Sequence, residues 1–442
     1  MILMKHLKYL LAALLPLAFA ACDKDDEPAF VPTLEFAADK LSADAGGGIL
    51  SVDVRADMPY EVIMPQEAAW VKLAGEAQPE AATLTFEVEK NTAATARTAA
   101  VVIRASEGVT PADTLRITQS GIDDAADITA EFDPAFAAAL QEKGYIADSR
   151  HITAADVKGI TVLDVSNDEE GKELTSLKGI EYFTALERLE CRYNQLTTLN
   201  VSQNTALEHL DCGFNQLTAL DVSQNTALNI LYCYENQLTA LDVSRNTALT
   251  TLDCDCNQLT VLDVSQNTAL GFLACYENQL TALDVSQNTA LWYLNCYGNQ
   301  LTALDVSRNT ALTELDCYEN QLTVLDISKN TALTELYCHG NQLTALDVSG
   351  NTALTTLHCY GNQLTTLNVS GNTALWYLSC YGNQLTALDV SGNTALKRLR
   401  CFNNPGRDGI FEVTLWPGSE LTAQPESWEY NGQTVTVEYL GK

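Results

Sequence analysis

The chain has 442 residues and a formal net charge of −32, from 57 acidic against 25 basic side chains. So acidic a surface repels phosphate backbones, whose recognition needs Lys and Arg, and this excludes nucleic acid as a partner. The five histidines are scattered; only His339 and His358 fall one repeat apart, and two ligands are too few for the sites zinc prefers. With no nucleophile elbow, Gly-rich phosphate loop or distinctive carboxylate pair, no enzyme activity and no cofactor are expected.

Residues 1–22 have the pattern of a targeting segment. Lys5 and Lys8 give a positive start, Leu10 to Ala20 form an apolar run, and Ala20-Ala21 make a small-residue cleavage site ahead of Cys22. The run is too short to span a bilayer, so it is expected to be a signal peptide. Cys22 resembles the lipidation site of bacterial lipoproteins, although Phe19 departs from the usual aliphatic residue. The tether at 23–31 opens Asp23-Lys24-Asp25-Asp26-Glu27, which resembles the export signal of Bacteroidetes surface lipoproteins. The resemblance implies a lipid anchor in the outer membrane with the protein facing the cell exterior.

Residues 32–121 read as a separate β module. Leu50-Val52-Val54, Leu84-Phe86-Val88, Val101-Ile103 and Leu115-Ile117 alternate with polar residues, and Gly46-Gly47-Gly48, Pro59 and Asn91 punctuate them. Short alternating runs separated by turns predict an Ig-like β-sandwich. Leu41–Gly48, Ala69-Trp70-Val71, the turn from Asn91 to Arg97 and the closing Ile117-Thr118-Gln119-Ser120-Gly121 resemble the BACON domain. The family implies carbohydrate contact, whereas a lone Trp70 fits a core position better than a sugar platform; a spacer role is the alternative.

Residues 122–185 combine an acidic linker with a helical pattern opened by Asp133-Pro134. Phe136, Leu140 and Tyr145 share a face, and Gly144 stands near the stop. With Ile160 to Val165 and Leu177-Lys178-Gly179-Ile180, the stretch resembles the N-terminal cap of bacterial leucine-rich repeat proteins. A solenoid end exposes apolar edges, so a cap is physically required.

From 186 to 403 one unit of 21 residues repeats without a slip. Eleven of the thirteen cysteines, from Cys191 to Cys401, recur at that spacing. The first half, as in Leu207–Leu217, reads L-x-x-L-x-C-x-x-N-Q-L and resembles the leucine-rich repeat with Cys for the third Leu. The second half fits L-x-x-L-x-V-x-x-N, so the unit is nested, like the 21-residue class known as IRREKO. Leu210 and Cys212 alternate with Asp211 as in a strand. Asn215 is placed to bond backbone groups where the chain turns. The second half is too short and β-branched for a helix, so extended segments or tight turns are expected on the convex side. About eleven turns at ~4.8 Å make a solenoid roughly 50 Å long.

The spacing of the cysteines does not fit zinc, and buried free thiols are expected. Cys256, two positions after Cys254, is expected nearer the surface and more reactive. Asp221, Asp242, Asp263, Asp284, Asp305, Asp326, Asp347 and Asp389 share one position; neighbouring Ser and Thr hydrogen bonds or bridging cations would relieve their repulsion.

One residue after the cysteines stand Tyr234, Tyr276, Tyr297, Tyr318, His339, Tyr360, Tyr381 and Phe402. Strand alternation places them on the concave face, where they form the candidate ligand-binding stripe, with stacking between repeats as the alternative role. Their strand neighbours Asp211, Asp253, Asn295, Asp316, His358, Ser379 and Arg400 differ from turn to turn.

Beyond Asn403, residues 404–442 break the period. Phe411-Val413-Leu415 and Val435-Val437-Tyr439 read as strands of a C-terminal β cap, with Trp416 and Trp428 packed there. The expected architecture is mostly β, an Ig-like sandwich followed by a capped leucine-rich repeat solenoid. The expected function is a monomeric, non-enzymatic surface protein whose concave face binds an extracellular, possibly host, protein. Glycan or mucin capture through the tyrosines and the BACON-like domain, and a ligand-free surface spacer, are the alternatives.

Overall fold

The structure, a computed structural model, describes residues 32–441 apart from 76–80, 94, 107–110, 168–170 and 423–424. The signal-peptide reading, the tether and Cys22 therefore lie outside the described residues. The chain divides into two compact units, one reaching residue 90 and including 97–119, the other holding 91–96 and 120 onward.

The first unit has eight strands: β1 (Leu34–Phe36), β2 (Lys40–Ala43), β3 (Gly48–Ala56), β4 (Tyr60–Ile63), β5 (Val71–Leu73), β6 (Thr83–Val88), β7 (Arg97–Ala105) and β8 (Ala112–Gln119). They form two four-stranded sheets, in the orders β1-β3-β6-β5 and β2-β8-β7-β4. Inward residues of both, including Val52, Leu84, Phe86, Val101, Ile103, Leu115 and Ile117, share one buried cluster, as alternation along each strand requires. The Gln119 side chain is fully buried. Its amide donates to the carbonyls of Asp44 and Glu89 at 3.0 and 2.8 Å, and its oxygen accepts from Arg97 at 2.8 Å. Trp70 packs against the same core, with the Arg97 guanidinium 4.5 Å above its ring.

The second unit opens with a helix, Pro134–Glu142, whose Asp133 cap accepts from the amides of Ala135 and Phe136. Phe136 and Leu140 are fully buried, and Phe136 lies against Phe132 and Phe183. Together these side chains cover the first turn of the solenoid. Twelve parallel strands follow, from Val162–Asp164 to Arg398–Arg400. From Arg188–Glu190 onward the register advances by 21 residues, Leu189 opposite Leu210 and so on to Leu399.

Each strand is only three residues long because the repeat bends at both sides of it. In a middle repeat Leu291, Leu294, Cys296, Leu301 and Val306 have no exposure. Two asparagines per repeat hold the bends. Asn299 donates to the carbonyls of Cys275, Cys296 and Tyr297 at 3.0–3.2 Å, while its oxygen accepts from the Leu280 amide at 2.9 Å. Asn288, in the other half-unit, donates to Val264 and Asn267, both at 2.9 Å. Between the cysteine and the first asparagine the chain enters the left-handed region, at φ 48° for Cys256 and Glu277 and 62° for Gly298, which favours glycine. The convex side carries turns, and there the repeated aspartates accept from the serine two residues on, as Asp284 does from the Ser286 amide at 2.8 Å.

The solenoid closes asymmetrically. The strand Ile410–Thr414 pairs with Ala387–Asp389 of the second half-unit, not with the concave strand Arg398–Arg400. Gln433–Leu440 and Ser427–Tyr430 extend this small sheet. Phe411 and Val413 are fully buried, Trp428 stands 5.7 Å from Phe411, and its indole donates to the Asn404 carbonyl at 2.9 Å. The cap thus plugs the core from the convex half.

Candidate functional site: the concave aromatic face

Three residues per repeat reach the concave face: the two that flank the buried leucine of the strand and the one after the cysteine. The last of these builds an unbroken pile of rings. Tyr276, Tyr297, Tyr318, His339, Tyr360, Tyr381 and Phe402 stack face to face, with centroids 4.1–4.5 Å apart. Parallel strands set nearly this spacing, so identical side chains at one register fall into contact. Each such pair contributes about 0.5–1.5 kcal/mol beyond its buried area.

Stacking decides what the stripe can offer. The ring faces are occupied by their neighbours, and only the outer rims and hydroxyls point away from the sheet. His339 is 8% exposed between Tyr318 and Tyr360. Burial and the adjacent His358 push its imidazole down to about 4, so it packs as a neutral ring. His358 sits edge-on to Tyr337 and Tyr377 at 4.9 and 4.6 Å. Tyr234 stands apart from the pile: it meets Phe214 and Tyr232 edge-on, and Asp255 occupies the register between it and Tyr276. A shorter stack, Phe272 on Tyr293 at 4.4 Å, lies beside it with Trp292, which is 49% exposed.

Asp253 and Asp316 are among the strand residues that vary from turn to turn, whereas Asp255 takes a place in the aromatic row that the repeat pattern assigns to a ring. Asp253, Asp255 and Asp316 sit among aromatic neighbours, and burial raises their carboxyls above the usual range. For Asp316 burial, then Glu314 and Glu335, push it up to about 7. The available signal was the interruption of the tyrosine row at Asp255. The convex aspartates behave oppositely: hydrogen bonds from serine hold Asp263, Asp284 and Asp326 below the usual range.

The Asp316 shift has a measurable consequence. From the unfolded pKa near 3.9 up to about 7 the folded protein holds the extra proton, so stability falls as pH rises through that window. Asp316→Asn is expected to remove part of this slope, on the order of 1–2 kcal/mol after allowance for solvent screening. Urea midpoints of both proteins at pH 4.5 and 7.5 check it.

The cysteine ladder is buried from Cys191 to Cys401 and its thiols are free. Cys256 is half-buried and stands nearer the surface than the ladder, but its chemistry is slowed. Burial, Asp255 and Glu235 raise its thiol, which disfavours the thiolate that reacts. Ellman's reagent is expected to label the folded chain slowly at Cys256 and not at the ladder; Cys256→Ser should abolish that slow phase.

Residues 60–120 match the BACON family model, described as "Putative binding domain, N-terminal". None of the curated proteins matches the chain. Among solved structures, the internalin inlF from Listeria monocytogenes str. 4b F2365 is 26% identical with a TM-score of 0.53, covering 64% of this chain and 93% of its own. The functional domain of InlJ from Listeria monocytogenes, which includes a cysteine ladder, is 33% identical with a TM-score of 0.48, covering 68% and 84%. The chain belongs to the leucine-rich repeat family. Its leucine-rich repeat domain and its BACON domain together make a module of the protein-binding or adhesion type. Among the described residues no helix is long and apolar enough to cross a membrane.

Proposed function

We propose that this leucine-rich repeat protein is a non-enzymatic binding protein of the cell surface, tethered through Cys22 to the outer membrane, and that its concave face recognises an extracellular protein. The observation that carries the reading is the ring pile from Tyr276 to Phe402. It turns the stripe into a rigid, ribbed surface of aromatic rims and hydroxyls, flanked by strand residues that vary between repeats. Such a surface matches a protein face, where tyrosine supplies contact area at low entropic cost. A sugar ring would need free aromatic faces, and in the pile these are covered. Trp70 of the BACON domain packs on its own core beneath Arg97, which favours a spacer role for that domain.

Glycan capture keeps one supporting observation, the exposed Trp292 and Trp376, each one residue ahead of its concave strand. The two readings separate in a binding assay of the full chain against extracellular proteins and mucin glycans, with free glycan as competitor. The variant Tyr297→Phe/Tyr318→Phe/Tyr360→Phe keeps the stack and removes three rim hydroxyls. Protein binding that resists free glycan and weakens at least fivefold in the variant supports the proposal. Binding abolished by free glycan, and lost in Trp292→Ala rather than in the tyrosine variant, overturns it.

A further inference from the structure

Ahead of the ring pile, between Tyr234 and Tyr276, the aromatic row is interrupted, and the interruption is acidic. Tyr234 leans away from it: a Cβ placed on Gly213 would stand 2.6 Å from the Tyr234 ring, so that ring lies over Gly213 on the N-terminal side. On the other side Tyr276 begins the pile, its hydroxyl close enough to Asp255 to hydrogen-bond its carboxylate. Between them the carboxylates of Asp253 and Asp255 face each other, and the Asp255 amide approaches the Asp253 oxygen at 3.4 Å.

The pair is unbalanced. Asp255 is 3% exposed, and its Oδ1 is buried without a hydrogen-bond partner. Asp253 is partly exposed and forms the mouth of the site. Two strands away the same sheet shows a balanced case, for Asp211 has the Arg192 guanidinium at 3.7 Å. Among the described residues Asp253 and Asp255 form no such ion pair; the other charged groups that bear on them, Asp211 and Glu235, are both acidic. Burial raises both carboxyls, and the Asp255 carboxylate raises Asp253 further, while hydrogen bonds from Tyr276, Asp253 and Cys256 draw Asp255 part of the way back. A buried polar group without a partner is costly, and two adjacent carboxylates are more so.

We propose that the break at Asp253 and Asp255 seats a basic side chain of the protein partner, its cationic group on the two carboxylates and its apolar stem against Tyr276. The assignment rests on the concave-face reading above and names the chemistry of one contact within it. A divalent cation is the poorer occupant: calcium takes six to eight oxygens, and among the described residues no group of three His, Cys, Asp or Glu is arranged to hold a metal ion. A guanidinium, planar and with a fork of donors, matches paired carboxylates beside an aromatic ring.

The test uses the full chain and three probes: acetyl-Gly-Arg-Gly-amide, the same peptide with citrulline in place of arginine, and calcium chloride. Calorimetry or NMR titration at moderate salt is expected to show millimolar binding of the arginine peptide, at least tenfold weaker for the neutral citrulline peptide. Asp253→Asn/Asp255→Asn should reduce arginine binding at least tenfold. Asp253→Asn alone, at the exposed mouth, should reduce it severalfold and serves if the double variant does not fold. Asp284→Asn, on the convex side, should leave it unchanged, which separates a seat from general attraction to an acidic protein. Equal binding of both peptides, or binding indifferent to Asp253, overturns the proposal in favour of a carboxyl pair that merely shares a proton. Calcium that binds through Asp253 and excludes the peptide overturns it in favour of a metal site. A protein partner that loses affinity in the tyrosine variant but not in Asp253→Asn/Asp255→Asn would sink the seat and leave the concave-face reading standing.

Discussion

Replacing Asn299 by alanine is expected to destabilise the solenoid by about 3 kcal/mol or more. The side chain meets four backbone groups in a bend with almost no access to water. Its loss orphans the Leu280 amide outright, because that amide has its bond to the Asn299 oxygen. The carbonyls of Cys275 and Cys296 fare better, since each also accepts from an asparagine of an adjoining repeat, Asn278 and Asn320. A buried donor left unpaired costs about 1–3 kcal/mol, and each lost hydrogen bond adds roughly 1 kcal/mol. Asn299→Asp is the informative companion. It keeps the acceptor for Leu280 but aims a buried charge at three carbonyls, and should cost at least as much. Denaturant midpoints measure the size. Amide exchange measures the place: protection should fall first in the repeats around Leu280 and Leu301, because stability in a solenoid is nearly one-dimensional.

Phe411→Ala is expected to cost about 3–5 kcal/mol and to act at the opposite level of organisation, on the end of the array. Phe411 is fully buried against Trp428, and its strand is what covers Ala387–Asp389. Loss of the ring opens the cap, exposes Leu388 and Val390, and invites edge-to-edge association. Amide exchange should rise in the last two repeats while the middle ones stay protected, and light scattering on mild heating should detect the association. Uniform loss of protection along the whole array would show that the repeats unfold as one unit and that the cap is not a local element.

Much of this structure was legible in the residues because one register repeats. Leu, Cys and Val at their fixed offsets prescribe which side chains turn inward, and Asn at the bends prescribes how the backbone groups are satisfied. Serine two residues after each convex aspartate was readable as relief of the charge row, and the hydrogen bonds to Asp284 and its counterparts supply it. What escaped was decided by contacts between repeats. Nothing in the spacing of Tyr297 and Tyr318 states that their faces close on each other, and that contact changes which atoms a ligand meets. The offset of Cys256 from Cys254 implies a thiol nearer the surface, but burial first, then Asp255 and the Glu235 of the adjacent turn, raise that thiol. The cap strand at Ile410–Thr414 was recognisable, but its attachment to the second half-unit was not, because either half of a nested repeat presents an open edge.

The measurement that bears most directly on the account is carboxyl and tyrosine footprinting by mass spectrometry, with and without a protein partner found by the binding assay. Every repeat carries its own internal control. The concave-face account predicts that Tyr297, Tyr318 and Asp316 lose labelling in the complex, while the convex Asp263, Asp284 and Asp305 label as in the free chain. Protection of the convex aspartates with the tyrosine rims still labelled would contradict it and move recognition to the other side of the solenoid.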